Sequence, residues 1–360
     1  MTNREQEILQ LIRKNPMISQ QRLADILGIT RSSVAVHISN LIKKGRIAGK
    51  GYIVNDEEYV MVVGGVNVDI IGFPNATLLP RDSNPGRVKI SPGGVGRNIA
   101  ENLVKLGVYT RLISAIGDDI HGHKILDEAR LIGLDMQDSL ILQEPTSTYM
   151  AVLDEKGDMN VAISHMDAIE KISIDFIRQK KALIENAKAC VIDTNIPREV
   201  IEYVITHCQK TVFFLDTVST GKAQKVKDLI GHFHTIKPNK IEAEILSGIP
   251  IDNQADLEAC AAYFLDLGVN RVFISLGAEG LYYSDGVSKS HIPGQKIRVV
   301  NATGAGDAFM AALAYCYCRG FDIDYCARFA MAASRLALSH EDTINPKMSV
   351  ENVLSLMKEA

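Results

Sequence analysis

The sequence predicts an α/β fold, in which helices cover both faces of a mostly parallel sheet, with a small helical domain in front of it. Continuous apolar runs such as Tyr59–Val63 and Val272–Leu276 are typical of strands that are buried on both faces. Helical patterns such as Ile99–Leu106 alternate with these runs, as in parallel sheets. Residues 1–55 carry a net charge of +6, whereas the whole chain carries −4. We therefore expect two domains, at residues 1–55 and 56–360.

The composition is that of an ordinary globular protein, with 46% hydrophobic and 23% charged residues in 360. No apolar run reaches the roughly 18 residues of a membrane span, and Met1–Glu7 lacks the apolar core of a secretory signal. The cysteines have no zinc spacing, and Cys316 and Cys318 fall in an apolar helical run rather than a metal site. We expect free thiols, no membrane partner and a cytoplasmic location.

Three helical patterns follow one another in the first 55 residues. Apolar residues recur at helical spacing in Ile8–Ile12, Leu23–Leu27 and Val34–Ile42, and Gly28 separates the second pattern from the third. Short apolar segments around the turn Gly49–Gly51 then predict a hairpin wing. Helix, helix, turn, helix and hairpin is the order of a winged helix-turn-helix. The stretch resembles winged-helix regulators over nearly its full length.

The third of these helices is expected to read DNA. Its first turn carries short polar side chains and an arginine, which suit an approach to base edges, and nearby lysines are placed to reach phosphates. A helical domain that packs on a partner through its basic face is the alternative interpretation. The predicted DNA-binding residues are Arg31, Ser32, Ser33, His37, Lys43 and Lys50.

Polar residues follow the predicted strands at the sheet edge where α/β proteins bind their ligands. Two common phosphate motifs are absent from the sequence: there is no Gly-x-x-x-x-Gly-Lys-Ser/Thr, and no Gly-x-Gly-x-x-Gly follows the first strand. This excludes a P-loop enzyme and leaves a dinucleotide fingerprint unsupported. The strand-end residues expected at the ligand edge are Asn67, Asp69, Asp193, Asn195, Asp216, Lys237 and Asn239.

Two glycine clusters open helices, at Gly93–Ala100 and Asn301–Phe309. Glycine lets the backbone approach a ligand closely, and the free N–H groups of a helix start suit a phosphoryl group. Asp307 lies in the first turn of the second helix, which we expect over Ala305–Arg319. A carboxylate there repels an anion, so it makes sense as the base that accepts the proton of an attacking hydroxyl. An Asp that only complements the helix dipole is the alternative, and spacing leaves both open.

The two clusters are similar to the paired signatures of the ribokinase-like family of carbohydrate and nucleoside kinases. Asn67–Asp69 is similar to the family's substrate-binding segment, Asn239–Glu242 to its Asn-x-x-Glu element and Ser275–Gly280 to its nucleotide-binding turn. The resemblance covers about residues 59–358. It implies a three-layer sandwich with a mostly parallel central sheet, a small β-lid and phosphoryl transfer from ATP.

Together with the strand-end positions, the resemblance implies a role for each candidate residue. The catalytic residues implied are the base Asp307 and the anion hole Gly304, Ala305 and Gly306. The substrate-binding residues implied are Asn67, Asp69, Ser83, Asn84, Gly93, Gly94, Asn98 and Asn195. The ATP-binding residues implied are Lys237, Asn239, Ser275, Gly277, Gly280 and Thr303, with Glu242 and Asn239 holding Mg²⁺ through water.

One position departs from the pattern of the family. Many members have Asp where this chain has Asn301, near a loop that binds a monovalent cation, so K⁺ as a cofactor stays open. The branch that contains pseudouridine kinases has Asn there, and Asp82–Gly86 and His234–Glu244 also resemble that branch. The alternating segments Phe73–Pro92 and Thr148–His165 are expected to form the lid.

We therefore expect a kinase that uses ATP and Mg²⁺ to phosphorylate the 5′-hydroxyl of a nucleoside, with pseudouridine as the first choice. Inosine, uridine or a sugar are alternatives within the class. A DNA-binding sensor of nucleosides or sugars with vestigial catalysis is the alternative of a different class. One apolar lid face and open strand edges also predict a homodimer, and DNA is the partner expected for residues 1–55.

Overall fold

The computed structural model describes residues 1–48, 58–295 and 299–358. The N-terminal part consists of three helices, each preceded by a Thr or Ser whose side chain accepts a backbone N–H hydrogen bond from the first turn. The hairpin wing with Lys50, and most of the linker, were predicted on residues 49–57, which lie outside the described residues. The helices are α1 (Asn3–Lys14), α2 (Gln20–Leu27) and α3 (Arg31–Lys43).

The three N-terminal helices pack around one apolar core. Ile8 of α1, Leu23 of α2 and Leu41 of α3 are fully buried in it. Gly28 ends α2 with a φ of +63°, a left-handed conformation that glycine adopts without strain. The predicted helix-turn-helix is therefore present as three packed helices.

The body of the chain alternates strands and helices, as predicted. Its strands are β1 (Val60–Val63), β2 (Asn67–Pro74), β3 (Gly86–Gly93), β4 (Thr110–Ile113), β5 (Ala115–Gly117), β6 (Leu140–Leu142), β7 (Thr148–Leu153), β8 (Met159–His165), β9 (Ala189–Asp193), β10 (Phe213–Asp216), β11 (Thr235–Ile236), β12 (Arg271–Ser275), β13 (Gly280–Ser284) and β14 (Lys289–Pro293). Its helices are α4 (Val95–Lys105), α5 (Ile120–Ile132), α6 (Ile174–Asn186), α7 (Arg198–His207), α8 (Thr220–Ala223), α9 (Lys240–Ser247), α10 (Gln254–Asp266), α11 (Ala305–Arg319), α12 (Ile323–Leu338) and α13 (Val350–Lys358).

Eight strands form the main sheet, in the order β14-β13-β12-β11-β10-β9-β1-β4. The strands from β12 to β4 run parallel, and β13 and β14 add an antiparallel edge. The carboxyl ends of β1, β9, β10, β11 and β12 therefore lie along one edge, where the site is expected.

Apolar cores lie on both faces of the main sheet. One core contains Ile99 of α4, Met310 of α11 and Phe329 of α12, and the other contains Ile184 of α6 and Phe264 of α10. The result is the three-layer α/β sandwich that was predicted. The longest described helix, α12, has 16 residues, and none of the helices in the described ranges is long and apolar enough to span a membrane.

The lid is a separate four-stranded sheet with the order β3-β2-β7-β8. The lid strand β2 begins at Asn67, earlier than the predicted start of the lid at Phe73. The substrate-binding segment therefore lies on a lid strand rather than in a loop. The apolar run Leu112–Ile116, which alone would predict one buried strand, is divided between β4 and β5. Ser114 is buried and its carbonyl accepts from the Leu140 N–H, which turns the chain from β4 in the main sheet to β5 beside β6.

Candidate active site

Two buried carboxylates lie side by side at the carboxyl edge of the main sheet. Asp193 ends β9, Asp216 ends β10, and the two residues are directly paired in the strand register. The backbone N–H groups of Gly65 and Asn195 each donate to the Asp193 carboxylate over 2.8 Å. Burial, with a smaller contribution from Asp216, raises the pKa of Asp193 to about 6. Asp193 thus connects the loop after β1 to the loop after β9.

Asp307 is the third residue of α11 and is almost fully buried beside this pair. The Asn98 side-chain amide, from the first turn of α4, donates to its Oδ2 over 2.8 Å. Burial and the negative charges of Asp216 and Asp193 raise the pKa of Asp307 to about 7, against the lowering effect of Asn98 and Lys237. A carboxylate with a pKa near neutral pH is suited to accept a proton from a hydroxyl.

Neighbouring groups lie very close to the backbone of the glycine loop before α11. Gly304 has a φ of +84°, and a Cβ there would lie well inside contact distance of the Thr343 carbonyl oxygen. A Cβ on Gly306 would lie 3.3 Å from the ammonium nitrogen of Lys237. That nitrogen is 3.7 Å from the Asp216 carboxylate. The start of α11 and one cation therefore converge on the space that an anion would occupy.

The predicted substrate residues of β2 and β3 pack together just before α4. The Asn67 side-chain amide donates to Asp69 Oδ1 over 2.6 Å. A Cβ on Gly93 would overlap the Asp69 carboxylate, and one on Gly94, with a φ of +100°, would overlap the Gly65 backbone. Burial raises the pKa of Asp69. The glycines therefore allow β3, β2 and the loop after β1 to pack against one another.

Asn195 joins this group from the loop after β9. Its side chain lies against Gly65, and its Oδ1 accepts a hydrogen bond from the Lys222 ammonium group. The loop residues Ser83, which is exposed, and Asn84, which is half-buried, are not brought into the group in this structure. The Asn84 side chain instead bonds to the backbone of Leu79 within its own loop.

Asn239 and Glu242 form a capping box at the start of α9. The Asn239 Oδ1 accepts from the Glu242 N–H, and Glu242 Oε2 accepts from the Asn239 N–H, each over 2.9 Å. The Thr217 hydroxyl also donates to Glu242 Oε2 over 2.7 Å. Glu242 is buried, and no described residue hydrogen-bonds to its Oε1.

A buried carboxylate with one uncommitted oxygen fits Mg²⁺, which prefers oxygen ligands and keeps several waters. Within the described ranges, no group of three or more His, Cys, Asp or Glu side chains is placed to bind a metal directly. Phosphates and water as the remaining ligands agree with that arrangement.

The remaining residues predicted to bind ATP lie farther along the carboxyl edge of the main sheet, toward β12. Ser275 donates its N–H to the Pro238 carbonyl and pairs with Asn239, so the end of β12 lies beside the capping box. Gly277 and Gly280 both have positive φ in the turn that leads to β13. Thr303 is exposed just before the glycine loop.

The family comparison agrees with this geometry. Residues 57–349 match the model of the pfkB family of carbohydrate kinases. The chain belongs to this family. Residues 1–48 match the model of a winged helix-turn-helix DNA-binding domain. A pfkB-family phosphotransferase with a winged helix-turn-helix in front of it is therefore the architecture of the chain.

Three relatives extend the family match. The chain is 41% identical to the pseudouridine kinase of Escherichia coli (strain K12) over 85% of this chain and 98% of that protein. It is 38% identical to the uncharacterized sugar kinase YeiI of the same organism over 99% of both proteins. The structure of Arabidopsis thaliana ribokinase complexed with ribose and ATP is 26% identical, with a TM-score of 0.73 over 84% of this chain and 99% of that one.

Apart from Lys50, which lies outside the described residues, the predicted DNA-binding residues of this kinase lie along α3. Arg31, Ser32 and Lys43 are exposed, whereas Ser33 and His37 are partly covered. The Ser33 hydroxyl lies 2.8 Å from the hydroxyl of the capping residue Thr30. All of these assignments stay predictions about DNA.

Three residues of the pfkB-family site received no role from sequence reasoning. Asp193 and Asp216 stood among the strand-end residues, and that position was the signal that marked them. Thr343 had no local signal, because it contacts Gly304 from a loop that follows α12.

The raised pKa of Asp307 predicts a pH dependence for this kinase. Below about pH 7 the carboxyl group is protonated and cannot accept a proton, so kcat/KM should fall about tenfold per pH unit as the pH decreases if Asp307 is the base. Asn98→Ala removes a hydrogen-bond donor that favours the charged form of Asp307. The decrease in kcat/KM should therefore begin at a higher pH in this variant. A pH–rate series on both proteins measures this. A wild-type profile that stays flat between about pH 5.5 and 8 would contradict it.

Proposed function

We propose that this protein transfers the γ-phosphoryl group of ATP to the 5′-hydroxyl of a nucleoside, most favourably pseudouridine. The observation that carries the proposal is the hydrogen bond between Asn98 and Asp307. It joins α4, which follows the glycines packed against Asp69 and Gly65, to the start of α11. This contact supports Asp307 as the base that acts between the proposed sugar site and the proposed phosphate site.

In the proposed reaction, Asp307 accepts the proton of the 5′-hydroxyl while the hydroxyl oxygen forms a bond to the γ-phosphorus. The bond from that phosphorus to the bridging oxygen breaks, and ADP leaves with the electron pair. Backbone N–H groups at the start of α11 stabilise the charge on the transferring group. Lys237 supplies a positive charge at the same place, held beside Asp216.

Glu242 and Asn239 are the residues proposed to hold Mg²⁺, through water. When bound, the ion neutralises part of the phosphate charge. Thr217 and the capping box restrain the Glu242 side chain, so its orientation does not depend on the ligand.

Pseudouridine is proposed as the substrate because the chain is similar to a pseudouridine kinase over nearly the whole of that protein. Inosine, uridine and free pentoses are the competing substrates. An ATP-consumption screen across these compounds tests the proposal, and pseudouridine should be turned over fastest. Ribose should be slower because it leaves polar groups that would read the base unpaired. Equal rates for ribose and pseudouridine would contradict the assignment.

For the N-terminal domain we propose binding to duplex DNA. It carries a net charge of +6, and residues 1–48 match the model of a winged helix-turn-helix DNA-binding domain. The full-length protein should bind DNA with an affinity that falls steeply as salt rises. Arg31→Ala should weaken binding to a selected sequence more than binding to random DNA. No binding at low salt would favour a protein partner for this domain.

The sensor with vestigial catalysis is the second candidate function, favoured by the presence of a DNA-binding type of domain. It predicts that a nucleoside changes DNA affinity while no phosphorylated product forms. The buried Asp307, restrained by Asn98 beside the glycine loop, favours the enzyme.

Asn301 predicts that turnover does not depend on K⁺. Its Oδ1 accepts from the Thr303 N–H and its Nδ2 donates to the Glu341 carbonyl, both over 2.9 Å. An amide N–H cannot coordinate a cation, so hydrogen bonds tie these two loops together where other family members use a carboxylate near a cation. Rates in KCl and NaCl at equal ionic strength should agree. Activation of several-fold by K⁺ would contradict this prediction.

An apolar face of the lid predicts a homodimer. Ile90, Ile70, Met150 and Ile163 stand opposite one another across the four strands, and Ile163 is 66% exposed. Asp69 points to the other face of β2, because neighbouring residues of a strand alternate. The apolar face therefore lies away from the substrate residues, where a second copy can cover it.

The predicted dimer is tested by replacing either of two exposed valines with lysine. Val161→Lys, on edge strand β8 of the same lid face, should shift the mass measured by light scattering from dimer to monomer. Val287→Lys, in the exposed turn between β13 and β14, is the matched control and should leave the mass unchanged. A fully active wild-type monomer at micromolar concentration would contradict the prediction.

A further inference from the structure

One stripe of α3 faces solvent. Ser32, Val36, Ser39 and Lys43 recur at steps of three or four residues, which places them on one side of a helix, and all four are exposed. The opposite side, with Leu41, is buried in the helical core. Val36 is 60% exposed, so the only branched aliphatic side chain of the stripe contributes little to that core.

Helix α3, which carries the stripe, has the charge of an element that binds an anionic polymer. Arg31 begins the helix and Lys43 ends it, both exposed, and the α3 sequence contains no Asp or Glu. No described carboxylate lies within 4 Å of either cation. A protein groove that received this helix would need a wider apolar face than one valine between two serines. The stripe therefore fits the major groove of DNA, whose phosphates flank a partly apolar floor.

We propose that Val36 reads the 5-methyl group of a thymine, and that it is a residue that determines the sequence preference of this protein. The inference rests on the proposed DNA binding. Valine has no donor or acceptor, and the thymine methyl is the apolar group that a base pair presents in the major groove. Ser32 and Ser39, one turn to either side, then face the neighbouring base pairs. The preferred site therefore contains an A·T pair at the step that Val36 contacts.

The test compares thymine with uracil, which lacks only that methyl group. A preferred sequence is first selected from random duplexes with the full-length protein, and each of its thymines is then replaced singly by uracil. We expect one replacement to weaken binding about fourfold, the factor for burying one methyl group. Val36→Ala should bind the thymine sequence about as weakly as wild type binds the uracil sequence, and it should no longer distinguish the two.

Ile42→Ala is the matched control. Ile42 is 48% exposed on the same helix but about 120° around it from Val36, so its variant should keep the full discrimination against uracil. Alanine favours helix, and both side chains are exposed, so circular dichroism should be unchanged. Selective binding without any uracil-sensitive position, or equal sensitivity in Val36→Ala and wild type, overturns this inference alone. Failure of the full-length protein to bind any DNA overturns the proposed DNA binding with it.

Discussion

Asp307→Asn should lower kcat by at least about 10²–10⁴-fold, the usual contribution of a general base. Asparagine keeps the size and the hydrogen-bonding shape of the side chain, so Asn98 still has an oxygen to donate to. What is lost is the ability to accept a proton at neutral pH. Nucleoside affinity, measured by calorimetry, should change only modestly, because the residues of β2, β3 and α4 are untouched.

Asp256→Asn is the matched control for this variant. Asp256 is also the third residue of its helix, α10, but it is only half-buried, in a capping box with no predicted site residue nearby. Its replacement should cost about 0.3–1 kcal/mol of helix-dipole stabilisation and leave turnover normal. If Asp307→Asn behaved in the same way and kept more than half of the wild-type turnover, Asp307 would leave the mechanism and the sensor would become the better candidate.

Gly304→Ala should lower kcat by about 10²–10³-fold, the range seen when an anion hole loses a donor. A left-handed φ of +84° costs alanine about 1 kcal/mol, and its Cβ would overlap the Thr343 carbonyl. The loop must therefore move, and the N–H groups at the start of α11 move with it. Steady-state kinetics with pseudouridine measure the loss, and a melting curve separates it from unfolding.

Gly306→Ala is the comparison within the same loop. Its φ is not in the left-handed region, and the nearest atom to a new Cβ is the flexible end of Lys237, at 3.3 Å. A few tenths of an ångström of movement accommodates it, so the loss of kcat should be at least tenfold smaller than for Gly304→Ala. Equal losses in the two variants would show that loop geometry at Gly304 has no special part in catalysis.

The local features of this protein follow from its sequence because they depend on neighbours along the chain. The helix Ala305–Arg319 is present with the predicted bounds, since glycines precede it and an apolar pattern continues it. The three N-terminal helices likewise follow from capping residues and apolar spacing. The paired glycine signatures led to the kinase family, which the family comparison confirmed.

Only the tertiary structure decided which of these segments meet. Asn98 and Asp307 are 209 residues apart in sequence, and their contact depends on how α4 and α11 pack on the sheet. The strand order placed Asp193 beside Asp216, and their charges and burial raise the pKa of Asp307. Thr343 closes over Gly304 from a distant loop. Local sequence cannot determine such contacts, because they depend on sheet order and on how elements distant along the chain pack together.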